Sequence, residues 1–218
     1  MIRWAWWGEG IPYADAWARQ RAHREAVIAG EAEPLLALLS HTPVITTGRR
    51  PAPGTPSREA LADRGVDYFE TERGGLATWH GPGQLVGYAV VPLDALKLTI
   101  KQFVCGLEDG VILWLARRGV IAGRVAGRPG IWVGGDKICA LGLNVSRGVT
   151  LHGFALNLDP PLSAFEGFIP CGIADAGVTS LRRLTGEILT PEAAAPSVAQ
   201  AVLEAVGARA LDASSPSG

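Results

Sequence analysis

The segment Arg73 to Leu85, RGGLATWHGPGQL, constrains this chain more than any other. Four glycines and a proline fall within thirteen residues. A helix or a regular strand does not accept that density, because glycine is entropically costly to order and proline withdraws a donor. Gly81 precedes Pro82, so it is pushed out of helical geometry and should hold His80 in a stiff turn. The apolar run QLVGYAVV follows directly. The segment reads as a tight turn ahead of a buried strand, with backbone free to approach a neighbour closely.

The rest of the chain supplies a core for that turn to sit on. It has 218 residues, 48% of them hydrophobic and 19% charged, enough for one domain over 1–210 with a mobile tail at 211–218. The formal net charge of −1 gives a nucleic-acid partner no support. The arginine pairs Arg49-Arg50, Arg117-Arg118 and Arg182-Arg183 are ordinary solvated loop ends or local docking points for an acidic protein. The start, MIRWAWWGEG, is not a signal peptide, and no apolar run is long enough to span a membrane. Three cysteines without a CxxC argue against a disulfide framework and a zinc site, and fit the cytoplasm. Nothing in the sequence requires more than a monomer.

Local patterns sketch the elements. Tyr13 to Ile28 reads as a helix with a charged face, and PVITTG as a strand. RRPAPGTPSREAL is a loop entering a short helix, and VDYFETERGG a strand. Thr99 and Gln102 have capping-box spacing for a helix running to about Arg118, with Gly119 as its stop. GIWVGG, KICALGLNV and LHGFALNL are strands joined by turns. IPCGIADAGVTSL is a loop ending at the arginine pair. A last helix begins near Thr190-Pro191, with a restart at Pro196 and an end near Gly207. Helices flanking a mostly antiparallel, hairpin-linked centre make the class α+β.

Few residues carry chemistry by type and setting. Cys139 and Cys105 sit in strand-like and helical patterns, and read as small buried hydrophobes. Cys171 lies between Pro170 and Gly172, where a thiol is reachable and backbone N–H groups can face an oxyanion. A thiol must be ionised to attack, so it needs a histidine or a cation nearby. His80 and His152 stand in glycine-rich segments; His23 and His41 have no such setting and read as ordinary. Lys137 enters an apolar strand, where a lone ammonium is paired, functional or snorkelling from an edge. No HxH or HExxH spacing suggests a metal. Gly130 to Lys137 lacks the Ser/Thr and helix of a phosphate loop, and GRVAGRPG lacks the strand–turn–helix of a dinucleotide fold.

Taken together, RGGLATWHGPGQLVGY, GRPGIWVGGDKICALGLNVSRGVTLHGFALNL and IPCGIADAGVTSL resemble the signature blocks of the lipoyl(octanoyl) transferases, in the family's order. The resemblance covers most of residues 73 to 181 and extends more loosely to HTPVITTGRR. It implies the mixed sheet with flanking helices of the biotin and lipoate protein ligase catalytic module. It implies an acyltransferase that takes octanoyl from octanoyl-acyl carrier protein and passes it to a lysine of a lipoyl domain. The acceptors would be lipoyl domains of 2-oxoacid dehydrogenase complexes and the glycine cleavage H protein. The donor is already a thioester, so no ATP, metal or other cofactor is implied. By the same resemblance Cys171 carries the acyl group and Lys137 supports it. The substrate would lie against Arg73, Gly74, Gly75, Leu76, Ala77, Thr78, Trp79 and His80. It would also touch Ala140, Leu141 and Gly142, and Gly153, Phe154 and Ala155. Trp79 stands where the family more often has tyrosine, which keeps an aromatic wall without its hydroxyl. Two other readings stay open: an ATP-dependent lipoate or biotin ligase, and a catalytically silent carrier-binding protein on the same scaffold.

Overall fold

A computed structural model describes residues 1–49, 57–165 and 177–214 of the chain. Cys171 and Arg50 lie outside the described residues, as does the end of the expected tail, 215–218.

Two sheets organise the chain. The larger has seven strands: β1 (Arg3–Ile11), β2 (Leu35–His41), β6 (Gln84–Val90), β7 (Gly123–Val125), β8 (Arg128–Val133), β9 (Asp136–Ser146) and β10 (Val149–Asn157), in the order β1-β2-β6-β10-β9-β8-β7. The smaller comprises β3 (Val44–Thr47), β4 (Asp67–Glu70) and β5 (Thr78–His80), in the order β4-β3-β5. The β1/β2 and β3/β4 pairs are parallel and all other pairs antiparallel. The class is α+β with a mixed, mostly antiparallel sheet, as the sequence implied.

Helix α1 (Tyr13–Ile28) and the short α2 (Arg58–Ala62) match their expected positions. In α3 (Ile100–Ala116) the capping box forms in full: the Gln102 amide N–H donates to the Thr99 hydroxyl, and the Gln102 side chain accepts from the Thr99 N–H. That pairing satisfies two of the first-turn donors that a helix leaves open. Four features depart from the sequence reading. LLALLSH is strand β2, and GRV is strand β7, the first arm of a hairpin with β8. The arginine pair Arg182-Arg183 lies in a helix, α4 (Leu181–Thr185), with Ser180 as its cap, and not at a loop end. Helix α5 (Pro191–Ser214) runs through Pro196 unbroken and ends seven residues beyond Gly207.

One face of the large sheet carries the main core. Leu36, Leu38, Leu85, Leu156 and Ile138 pack there beneath α3 and α5, joined by Phe103, Leu107 and Trp114 of α3. The two helices meet closely because α3 has glycine at the crossing. A Cβ on Gly110 would lie 2.4 Å from the Val202 Cα of α5, well inside contact distance. The other face is covered by α1 and by the smaller sheet, and there the functional side chains gather. Among the described residues no helix is long and apolar enough to cross a membrane.

Candidate active site

Strands β6, β10 and β9 lie side by side, and their registers form rows across that second face. Gln84 pairs with Asn157; Val86 pairs with Ala155, which pairs with Ala140; Tyr88 pairs with Gly153, which pairs with Gly142. Side chains alternate across a sheet, so these rows share one face and form the floor of a cleft. Residues 73–78 wall one side and Tyr13 of α1 the other. The cleft has a volume of about 620 Å³ including its open mouth. Its floor is stripped of bulk: a Cβ on Gly142 would lie 2.7 Å from the Gly74 carbonyl oxygen, so only glycine lets the two backbones meet here.

A second, smaller cavity adjoins it, sharing Thr78, Ala140 and Ala155 and adding Gln84, Lys137, Asn157, Phe165 and Val178. Lys137 is 6% exposed on a strand interior to the sheet, not a snorkelling edge residue. Its ammonium stands 4.7 Å from the centre of the Trp132 ring, a cation–π distance. Its backbone is pinned from the far side: the Lys137 N–H donates to Gly177 O, and the Thr179 N–H donates to Lys137 O. Phe165 and Val178, the described residues nearest Cys171 on either side that line this cavity, therefore both stand beside Lys137.

Buried polar groups around the cleft are joined in a directed network. Asn157 Nδ2 donates to Thr179 O and its Oδ1 accepts from Gln84 Nε2, which fixes both amide orientations. Gln84 Oε1 then accepts from His80 Nδ1 at 2.8 Å, leaving His80 Nε2 to accept from the Thr46 hydroxyl. Thr46 in turn accepts from Arg73, through its hydroxyl at 2.9 Å and its carbonyl at 2.7 Å. In a second branch His41 Nδ1 donates to Ile11 O, and its Nε2 accepts from the Tyr88 hydroxyl at 2.6 Å. The rings of His41 and His80 are 5.8 Å apart. Both tautomers are thus those of neutral imidazoles.

The electrostatics agree. Burial, reinforced by His41 and Arg73, holds His80 well below the ordinary histidine range. Burial lowers His41 to about 4 against the opposing Ile11 hydrogen bond, and with Arg73 and Arg24 lowers His152 to about 3. Burial raises the phenols of Tyr13 and Tyr88. Burial also raises the Cys139 thiol, which fits a core residue. Cys105 is only half-buried in α3. Among the described residues no cluster of His, Cys, Asp or Glu is placed to hold a metal.

Most expected substrate contacts therefore come together. Arg73, Gly75, Leu76, Thr78, His80, Ala140, Leu141, Gly142, Gly153, Phe154 and Ala155 line the cleft. Gly74 reaches its wall by donating to Leu143 O. Ala77 and Trp79 do not line it. Thr78 and His80 face inward, so alternation turns Trp79 outward, into a cluster with Ile45, Leu61 and Phe165. His41, read as ordinary from sequence, belongs to the site through Tyr88 and His80. Tyr13, Val86, Tyr88 and Pro129 also line it, and no sequence signal marked them. The faint phosphate-loop pattern ending at Lys137 is the β8/β9 hairpin. The arginine pairs are largely engaged within the chain: Arg117 with Glu204, Arg118 over Trp114, and Arg182 with Asp159.

The family model of the lipoyl protein ligase A/B catalytic domain matches residues 12–205. An octanoyltransferase of Mycobacterium sp. (strain KMS) is 47% identical over 205 residues, covering 91% of this chain and 83% of that protein. A putative lipoate protein ligase of T. acidophilum, solved with bound lipoic acid, superposes with a TM-score of 0.70 at 15% identity, covering 94% of this chain and 85% of the other. The biotin protein ligase of Aquifex aeolicus superposes with a TM-score of 0.53 at 12% identity, covering 96% and 71%. The two structural likenesses speak to fold.

Proposed function

This chain belongs to the lipoyl protein ligase A/B catalytic-domain family, and on that premise we propose that it transfers an octanoyl group from octanoyl-acyl carrier protein, through a Cys171 thioester, to the target lysine of a lipoyl domain. One observation carries the reading. The apolar cleft adjoins the cavity of Lys137 at Thr78, Ala140 and Ala155, and residues from both sides of the Cys171 segment line that cavity.

The Cys171 thiolate attacks the thioester carbonyl, and the carrier's sulfur leaves as a thiol by taking the proton held on Lys137. One thioester replaces another, so the exchange is nearly balanced and no ATP is consumed. In the second step the ε-amine of the acceptor lysine attacks the Cys171 thioester. An amide forms, the Cys171 sulfur is released, and the amine's proton must be taken up. Lys137 serves both steps: as ammonium it stabilises the thiolate, and as amine it accepts the proton. The cleft buries the acyl chain, contributing about 0.8 kcal/mol per methylene, and its glycine floor brings backbone against the chain. His80 has its tautomer set by Gln84 and Thr46, and so lines the cleft as a neutral ring.

Intact-mass analysis after mixing with octanoyl-carrier protein should reveal one octanoyl adduct on the native protein and none on Cys171→Ala. An adduct that persists in Cys171→Ala would remove the assignment. Turnover of free octanoate with ATP, and none of the thioester, would favour a ligase instead.

A further inference from the structure

One end of the cleft is marked by a crossing of two segments. Away from Lys137, segment 72–74 crosses over β9: Gly74 N donates to Leu143 O, and Asn144 Nδ2 donates to Glu72 O. Asn144 Oδ1 accepts from Arg24 of α1, which closes the crossing on the helix side. His152 pairs with Leu143 in the same row.

His152 reaches the cleft by an exception. Strict alternation would send it to the α3/α5 face, beside Phe154 and Leu156. Its backbone is left-handed, with φ of 64°, a conformation that costs an L-residue roughly 1–3 kcal/mol and persists only where its surroundings hold it. The Gln20 side chain, fully buried on α1, accepts from the His152 N–H and holds it there. The ring stands edge-on to Tyr88 at 6.2 Å and lines the cleft. His152 is 3% exposed, and among the described residues its Nε2 has no hydrogen-bond partner. A buried imidazole nitrogen without a partner, at the end of an apolar cleft, gives further methylenes nothing to gain.

We propose that His152 is the length-setting residue of the acyl site, stopping the terminal methyl of the chain at eight carbons. The inference rests on the acyl-transfer reading above. From the Ala155/Ala140 row, where the cleft meets the Lys137 cavity, to the His152/Leu143 row is three residues. At the strand rise this is about 10 Å, close to the length of an extended eight-carbon chain. The thioester carbonyl then lies at the lysine end and the methyl against the imidazole.

The test compares transfer from hexanoyl-, octanoyl-, decanoyl- and dodecanoyl-carrier protein by native protein, His152→Gly and His152→Trp. Glycine accepts the left-handed backbone, so the first variant should fold. It should raise the ratio of kcat/KM for decanoyl over octanoyl by about tenfold or more, the value of two newly buried methylenes. His152→Trp should move the preference toward hexanoyl. A His152→Gly profile identical to the native one would overturn the proposal. Should the native protein transfer no acyl thioester, the functional reading falls by itself. Calorimetric binding of the free C6 to C12 fatty acids then still decides the length limit, which must peak at eight in the native protein and shift in His152→Gly.

Discussion

Ala155 and Leu156 are neighbours in β10 and almost equally buried, but they look out on opposite faces of the sheet. Leu156 joins a nearly all-apolar core under α3 and α5. Ala155 joins a face where Arg73, His80, Gln84, Lys137 and Asn157 are buried nearly as deeply as the leucines. The first face is held by volume: its helices touch at Gly110, and one added methyl has nowhere to go. The second is held by direction, since Asn157, Gln84, His80, Thr46 and Arg73 are each oriented by the next. A satisfied polar network rigidifies a site, but each member that is lost leaves its partner uncompensated. Burial alone separates nothing here; the chemistry of what is buried does.

The largest effect expected from breaking this contrast lies at Lys137. Lys137→Met keeps the length and apolar stem of the side chain but removes its charge and its proton chemistry. Transfer should fall by about 10²–10⁴-fold, while the melting temperature moves little. A loss of stability as large as the loss of activity would make Lys137 a structural residue and merge the two faces.

The next effect is on stability and belongs to the histidines. His41 titrates lower in the folded chain than in the unfolded one, so the unfolded state binds more protons between the two values and stability rises with pH. The contribution is complete above about pH 6.5 and is lost as pH falls through about 4. It is worth on the order of 3 kcal/mol. Urea midpoints should fall across that window, and His41→Gln should flatten the slope. An equal slope in the variant would show that the buried imidazole is not its source.

The smallest effect is expected on the apolar face. Gly110→Ala forces α3 and α5 apart and should cost about 1–3 kcal/mol, seen as a lower melting temperature. Transfer measured well below the melt should be unaltered. A chain-length shift in this variant would mean that the two faces communicate.

The sequence revealed whatever is written locally. The Thr99/Gln102 cap, the charged helix from Tyr13 and the hairpins of β8, β9 and β10 all lie within a few residues of their signals. Strand β2 was hidden because LLALLSH is continuously apolar, with no period to choose between strand and helix. The resemblance puts Trp79 in the wall, and the glycine-rich run conceals the alternation that turns its ring away into the Ile45, Leu61 and Phe165 cluster. His41 looked ordinary because its partners are 30 and 47 residues distant. Tyr13 and Tyr88 reach the cleft only through the packing of α1 on the sheet. The Pro-Cys-Gly setting and the family resemblance point to Cys171 as the expected nucleophile, which lies outside the described residues.

The locked tautomers of the cleft have a kinetic consequence. Three imidazoles line or back the cleft, and burial keeps each of them uncharged well below neutrality. None contributes an ionisation to a rate profile recorded between about pH 6 and 8. An inflection found there has its origin in other groups, and the profile becomes a clean record of the reacting ones.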